Sequence, residues 1–322
     1  MNGYQGLRTR TAWIDLSSRG KLRVTGEDRA RLLHSLCTNH VQELAPGEGL
    51  YTFFLNEKGR VLADSYIYNL GESLLLDTEP ETAVSLAAHL DKYIIADDVV
   101  VEDETGRWFT VGLEGPASAE AAVGLGIQPP AKRCALIEWG AGFVVQVAET
   151  GMPGIRIFTP MDERHNLAAR LTAAGIPQAT QQEARLVRLE NGKPRYGEDI
   201  SDRYLAQETQ QLHALHFNKG CYLGQEIVER VRSRGQVRRH LTPIEVASDS
   251  PPATGSKLAS DGGAAGEITS AVYSPALQKI VGFAYLRTES LEKKMPLTVE
   301  ETGSPVQVRT ASAVAQNSSV AV

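Results

Sequence analysis

The sequence predicts an α+β protein in which short helices cover mostly antiparallel sheets and a small antiparallel β-barrel follows. Over residues 1–240, strand-like and helix-like segments alternate irregularly and hairpins join some strands, which favours α+β layers over a doubly wound parallel sheet. From about residue 241, five or six short apolar runs alternate with Pro, Gly, Ser and Asp, as in a small barrel. We therefore predict two interleaved α+β domains over residues 1–240, a barrel over residues 241–310 and a disordered tail over residues 311–322.

The first predicted elements are a strand, a helix and a hairpin. Residues 21–24 alternate like a strand, and Thr25 to Asp28 resembles a capping box for the next helix. Cys37 continues the helical spacing of the apolar residues, so we expect it in the core. Strands at residues 51–55 and 60–68 are rich in β-branched and aromatic side chains, and the turn at residues 56–59 joins them.

The remaining elements of this region follow by the same patterns. We predict strands at residues 74–76, 99–101, 108–113, 143–147 and 155–158, and helices at residues 80–90, 117–125, 162–174 and 182–189. Glu190 stands at the end of the last helix, beside an Asn-Gly-x-Pro stop. A carboxylate there can reach a ligand from the loop, or it is a solvated helix end.

Asp64 is unusual because it falls inside an apolar strand. Strands disfavour Asp, and burial of a carboxylate without a partner is costly. Asp64 either faces water on the polar side of the sheet or contacts a ligand, and we favour the ligand.

Composition excludes several classes of protein. The formal net charge is −6, so no general basic field favours nucleic acid; the arginines of residues 230–239 form a local exception, either a solvated helix end or an anion site. Three widely separated cysteines make a disulfide framework or a self-contained metal site unexpected and suggest a reducing compartment. Without a signal peptide or an apolar span, we expect a cytoplasmic protein that holds no metal.

Residues 217–226 combine a thiol, an ammonium group, two glycines and a carboxylate. A helical pattern begins after Gly220, which would place Cys221 at or just before a helix N-terminus. The free N–H groups of that terminus and the neighbouring Lys219 would favour a thiolate. The alternative is that Cys221 is a buried small hydrophobe, as free cysteines most often are.

This segment carries a resemblance to a known family. Residues 219–226, KGCYLGQE, followed by Arg230, resemble the KGCYxGQE signature of YgfZ-type folate-binding proteins. Those proteins belong to the superfamily of the glycine-cleavage T-protein, a tetrahydrofolate-dependent aminomethyltransferase. Weaker similarities follow in the superfamily's order at residues 24–28, 36–39, 59–64, 188–194 and 282–285.

The resemblance implies a cloverleaf of three domains, with ferredoxin-like α/β layers and a C-terminal barrel around a central hole that holds tetrahydrofolate or a one-carbon derivative. It places Asp64 near the reactive N5/N10 side of the folate and gives Glu190 a hydrogen bond to the pterin. Lys219 and Arg230 would meet the glutamate tail, with Tyr222 in the same binding site. Asp64 and Cys221 would carry the chemistry.

Three functions remain open at this stage. The resemblance implies a tetrahydrofolate-binding protein that supports iron–sulfur cluster assembly or repair and folate-linked tRNA modification. It would be a monomer whose partners are the folate and iron–sulfur client or assembly proteins, without membrane or direct nucleic-acid contact. The alternatives are an aminomethyltransferase that transfers a one-carbon unit to tetrahydrofolate, and a binding module without chemistry. Against the transferase, residues 150–154 lack the tyrosine and acid of its Thr-Gly-Tyr-Thr-Gly-Glu segment, and Ala63 replaces the first of its paired aspartates.

Overall fold

The computed structural model describes residues 1–309, apart from residues 236 and 262. In this part of the chain the helices are α1 (Gly3–Thr9), α2 (Arg29–Leu36), α3 (Ala83–Asp91), α4 (Ser118–Gly124), α5 (Arg164–Ala173), α6 (Gln181–Glu190), α7 (Gln225–Arg234) and α8 (Thr288–Glu292). Each is short, so packing of an apolar face rather than intrinsic propensity supplies most of its stability. None is long and apolar enough to cross a membrane.

The same residues form three sets of strands. The strands are β1 (Ala12–Asp15), β2 (Gly20–Thr25), β3 (Gly49–Leu55), β4 (Val61–Asn69), β5 (Leu74–Thr78), β6 (Val100–Asp103), β7 (Trp108–Glu114), β8 (Leu136–Trp139), β9 (Gly142–Val145), β10 (Gly154–Pro160), β11 (Gln178–Ala179), β12 (Arg239–Val246), β13 (Lys257–Ser260), β14 (Gly263–Ser274), β15 (Lys279–Arg287), β16 (Leu297–Val299) and β17 (Pro305–Val308). The predicted α+β class and terminal barrel are confirmed.

The first sheet has the antiparallel order β3-β4-β5-β2-β6. Its apolar face packs on α2 and α3, and Cys37 is fully buried in this core, as predicted. The predicted capping box is wrong. The N-cap of α2 is Asp28 and makes no side-chain capping bond, because its carboxylate accepts the backbone N–H of Asp98 instead.

The second sheet has the order β11-β1-β7-β10-β9-β8, and only β1 and β11 pair in parallel. The sequence patterns did not predict α1, β1 or β8. Strands β1 and β8 have only four residues each, which is too short for their alternation to be recognised. Aromatic residues of β9 and β10 pack against Tyr68 of β4, so the two sheets share a buried contact.

The barrel closes in the order β12-β15-β14-β13-β16-β17 and encloses its own apolar core. It begins at Arg239, close to the predicted boundary, although the division into domains stays a prediction. The predicted tail at residues 311–322 lies outside the described residues. Helix α6 packs on α1 and on β14 and β15, which places the end of α6 between the second sheet and the barrel.

Candidate functional site

A cluster of buried charges lies where the two sheets meet. Arg156 of β10 forms an ion pair with Asp77 of β5, and both side chains are fully buried. Arg19 donates through Nε to the other oxygen of Asp77 at 2.7 Å and also pairs with Glu79. Arg156 reaches Glu149 at 3.0 Å, so three carboxylates and two guanidinium groups compensate one another. Without such pairing, charges at this depth would cost several kcal/mol each.

Asp64 lies beside this cluster on β4 and is buried, so the water-facing alternative is wrong. Its Oδ2 accepts a hydrogen bond from the Tyr51 hydroxyl at 2.7 Å, whereas its Oδ1 is buried and has no partner among the described residues. Burial, reinforced by the charge of Glu79, raises the pKa of Asp64 to about 7, against the Tyr51 hydrogen bond and Arg19. A carboxyl group with that pKa can donate or accept a proton near neutral pH.

A small cleft of about 330 Å³ opens next to the charge cluster. Its lining residues are Leu16, Ser18, Arg19, Glu79, Pro80, Glu149, Gln181, Ala184, Arg185, Arg188, Arg195 and Glu198. Arg19, Glu79 and Glu149 also set the electrostatic surroundings of Asp64. The cleft therefore adjoins the predicted catalytic carboxylate, although Asp64 itself does not line it.

Most of this site was not predicted from the sequence. Asp64 was predicted because its charge interrupts an apolar strand. Arg156, between Ile155 and Ile157, and Asp77, after three leucines, carry the same signal. Applying that criterion to the predicted strands would have found Arg156, whereas Asp77 lies one residue beyond the predicted strand at residues 74–76, which extends to Thr78 in the structure.

Glu190 is in a different network, at the junction of α1, α6 and β14. Its Oε1 accepts hydrogen bonds from Tyr4 at 2.6 Å and from Ser274 at 2.5 Å, and its Oε2 pairs with Arg8. The side chain is 1% exposed, so the alternative of a solvated helix end is wrong. Glu190 and Asp64 share no partner among the described contacts, and neither lines the cleft beside Asp64. Their assignment to one folate pocket stays a prediction.

Lys219 closes the end of α2. Its ammonium group donates to the carbonyl oxygens of His34, Cys37 and Asn39 at 2.6 to 2.8 Å. These oxygens lie in or just after the last turn of α2, where carbonyls lack helical partners and a cation is favourable. All three ammonium protons are used, so a folate carboxylate would have to displace one of these bonds.

Tyr222 is a core residue. It packs in the cluster between the first sheet and the barrel, and its ring centroid lies 4.9 Å from the Lys219 ammonium group. Burial raises the pKa of its hydroxyl. Tyr222 lies outside the linings of the described clefts, so its predicted contact with the cofactor gains no support here.

Cys221 is exposed, which excludes the alternative of a buried hydrophobe. The expected helix position is wrong, however, because α7 begins at Gln225 and its N-cap is Gly224. Gly224 has a positive φ, and a side chain there would clash with the carbonyl oxygen of Asn56, so this N-cap position requires glycine. The thiol is therefore outside the first helical turn, and exposure rather than a helix end distinguishes it.

Exposure predicts that the three thiols react at very different rates. Burial raises the pKa of both Cys37 and Cys134, whereas Cys221 meets solvent. At neutral pH, iodoacetamide should label Cys221 at least about tenfold faster than either buried thiol, as followed by mass spectrometry of peptides. Labelling of the urea-unfolded chain, where all three rates converge, is the control. Equal rates in the folded protein would contradict this assignment.

Arg230 lines a larger cleft, apart from both predicted folate carboxylates. The structure does not bring the six predicted site residues together at one site. Asp64 lies at the sheet junction, Glu190 near α1 and Arg230 on α7. Lys219 and Tyr222 lie at the end of α2, and Cys221 is on the surface. In the described part of the chain, no group of three His, Cys, Asp or Glu side chains is placed to hold a metal ion.

Comparison with known families gives this geometry its context. Residues 2–219 match the model of the GCVT N-terminal domain, and residues 239–315 match that of the glycine cleavage T-protein C-terminal barrel domain. The chain belongs to the glycine-cleavage T-protein family. This confirms the superfamily, whereas the YgfZ-type branch stays a prediction.

Relatives in the T-protein family span nearly the whole chain. An aminomethyltransferase of Rubrobacter xylanophilus is 27% identical over 95% of this chain and 83% of its own length. A putative chloroplastic transferase of Arabidopsis thaliana is also 27% identical, over 89% of this chain and 68% of its own length. The crystal structure of aminomethyltransferase T of the glycine cleavage system from Bartonella henselae superposes with a TM-score of 0.87. The superposition covers 96% of this chain and 87% of the Bartonella chain at 20% identity, and so shows that the two share a fold.

Proposed function

We propose that this T-protein family member binds reduced folate beside Asp64, and that it supports iron–sulfur cluster assembly or repair through Cys221 as well as folate-linked tRNA modification. The observation that carries the folate half is the buried Oδ1 of Asp64, which has no partner among the described residues. A buried polar atom without a partner costs about 1–3 kcal/mol, and a ligand N–H would relieve that cost. We propose a cytoplasmic monomer without membrane or direct nucleic-acid contact.

The residues around Asp64 fit a reduced folate. Tyr51 holds one carboxylate oxygen and leaves the other for the ligand. Because its pKa is about 7, Asp64 can hold or release a proton at that oxygen, while Arg19 and Glu149 keep the surrounding charges fixed. Bound tetrahydrofolate would supply the nitrogen atoms that carry one-carbon units. Asp64→Asn, which replaces this unpartnered oxygen with an amide group, tests the folate-binding part of the proposal most directly. This variant should bind tetrahydrofolate more weakly in calorimetry.

Glu190 offers a second test of folate binding. If its carboxylate accepts the pterin N–H groups, Glu190→Ala should lose about 1.5–3 kcal/mol of binding free energy, roughly tenfold or more in affinity. Calorimetry with tetrahydrofolate at pH 7 measures this directly. Unchanged affinity would remove Glu190 from the site.

The control for Glu190 is Arg8→Ala. Arg8 pairs with the same carboxylate, so this change disturbs the network while the carboxylate stays in place. A direct contact predicts that Arg8→Ala retains most of the affinity. If the two variants lose affinity equally, Glu190 acts by holding α1 against α6 and does not contact the pterin.

The iron–sulfur half depends on Cys221. A single thiol cannot supply the four ligands that a cluster usually needs, so any cluster contact would be shared with a client protein. Cys221→Ser should keep tetrahydrofolate affinity and fail to restore iron–sulfur enzyme activity in cells that lack the protein. Full restoration would exclude a role for the thiol.

The aminomethyltransferase alternative is favoured by the relatives of that name, which this chain covers almost completely. Against it, residues 150–154 lack the tyrosine and acid of the transferase segment; Glu114 holds this changed loop by accepting the Thr150 N–H at 2.8 Å and its hydroxyl at 2.5 Å. Release of ammonia from a lipoyl-bound aminomethyl group in the presence of tetrahydrofolate would establish this alternative. Folate binding without ammonia release would favour the accessory role.

A further inference from the structure

The larger cleft, about 940 Å³ in volume, lies between α7 and strands β12 and β15. We call it the arginine cleft. Six of its lining residues are arginines, and Glu208 is the one carboxylate among the described residues that line it. The lining residues are Arg60, Leu205, Gln207, Glu208, Ile227, Arg230, Val231, Arg234, Val237, Arg238, Arg239 and Arg287.

Most of this positive charge has no counterpart in the described chain. Glu208 uses one oxygen to accept from Arg239 Nε at 2.9 Å and the other to accept from the backbone of Leu205 at 2.9 Å. Four other arginines, Arg230, Arg234, Arg238 and Arg287, make no side-chain hydrogen bond or ion pair with described residues, although Glu289 lies near enough to Arg287 to feel its charge. A concentrated positive field in a chain of net charge −6 indicates an anionic ligand.

Folding accounts for part of this arrangement, since Arg234 lies in the last turn of α7 and Arg239 pairs with Glu208, but not for the close spacing of like charges. Arg230 and Arg234 lie one turn apart on α7, and Arg239 stands directly opposite Arg287 on the neighbouring strand. Like charges at both spacings are destabilising. A bound anion would interact favourably with the arginines of both pairs and offset the repulsion between them.

The walls between the arginines are apolar. Leu205, Ile227, Val231 and Val237 line the same cleft. A volume of about 940 Å³ is near the upper end of the range for small-molecule sites, about 300–1,000 Å³. The cleft therefore combines space for an organic body with an array of guanidinium groups.

We infer that the arginine cleft binds a phosphorylated organic ligand of nucleotide size, independently of the proposed folate site. Phosphate suits this array, because each guanidinium fork can donate two parallel hydrogen bonds and no lysine is among the described lining residues. One di- or triphosphate also concentrates enough charge to face several arginines. A single-stranded nucleic acid is less suited, because its backbone requires an extended basic groove, whereas these arginines are confined to one cleft of a chain with net charge −6.

The test measures binding of ATP to the full chain by calorimetry, at low and high salt. The variant is Arg234→Gln with Arg287→Gln, which removes two lining charges that make no side-chain hydrogen bond or ion pair with described residues. The matched control is Arg232→Gln with Arg10→Gln, where Arg10 is the C-cap of α1 and does not line the cleft. Arg232 is on the same helix, but it lies over the Phe217 ring at 4.8 Å and outside the cleft. Thermal melting shows whether each double variant is folded.

We expect ATP to bind the wild type with affinity that falls at high salt. The cleft variant should bind at least about tenfold more weakly, since charge-assisted hydrogen bonds are lost, and the control variant should stay within about twofold of the wild type. Absence of ATP binding, or equal weakening in both variants, would overturn the assignment. So would equal affinity for inorganic triphosphate and ATP, or tighter binding of a poly-γ-glutamate or an oligoribonucleotide than of ATP.

Discussion

Replacing Arg156 by methionine is expected to cost about 3–5 kcal/mol of unfolding free energy, the usual cost of removing one partner from a buried ion pair. Arg156 and Asp77 are both fully buried, and Asp77 belongs to the opposite sheet. Methionine fills much of the space but leaves Asp77 and Glu149 with less positive charge nearby. Urea unfolding, followed by circular dichroism at pH 7, measures the loss.

The control is Arg164→Met, which removes an arginine that is half exposed and lies 3.4 Å from Asp15. Exposed pairs contribute about 0–1 kcal/mol, so this variant should unfold almost like the wild type. Comparable stabilities of the two variants would show that Arg19 and the nearby ammonium group of Lys21 alone compensate Asp77. The junction of the sheets would then not depend on Arg156.

The fold was predictable where the chain repeats a pattern over enough residues. The hairpin from β3 to β4 has long strands rich in β-branched and aromatic residues and a turn whose Gly59 adopts a positive φ, and the barrel repeats short strands between turn residues. Strand β1 is different. Its four residues are central to the second sheet only because they pair with β7 and β11, which are distant in sequence. Such pairing leaves no local periodicity to read.

The site was less predictable because its residues meet only through tertiary structure. A charge inside an apolar strand identified Asp64, but nothing local indicated that Tyr51 would hold one of its oxygens. Lys219 looked like a free cation beside a thiol and instead closes the end of α2, a helix that lies far away in the sequence. The sequence shows that a lysine is present at residue 219, whereas the groups that it contacts depend on the fold.

The pH dependence of stability should reveal the unusual carboxyl group of Asp64. Its pKa in the folded chain is about 7, whereas an unfolded Asp has a pKa of about 3.9. Between these values the folded chain keeps a proton that the unfolded chain has released. This group therefore makes the wild type less stable as pH rises, by about 1.4 kcal/mol per pH unit. Above pH 7 both states are ionised and the penalty is constant.

Asp64→Asn removes this titration and keeps an acceptor for Tyr51. The variant should resemble the wild type near pH 4 and become progressively more stable than it up to about pH 7. The measurement is the difference in unfolding free energy between the variant and the wild type, obtained from urea unfolding at each pH. Burial lowers the pKa of His34 to about 4 and of His213 to about 3, so both residues titrate in the same window but cancel in the difference.

Tyr51→Phe separates the charge of Asp64 from its hydrogen bond. This variant removes the bond to Oδ2 but keeps the carboxyl group, and that bond lowers the pKa of Asp64. Its stability should therefore fall with rising pH at least as steeply as that of the wild type, unlike that of Asp64→Asn. A constant difference between Asp64→Asn and the wild type from pH 4 to 8 would mean that Asp64 stays ionised throughout. The carboxyl group would then be a fixed charge, unable to exchange a proton with a bound folate near neutral pH.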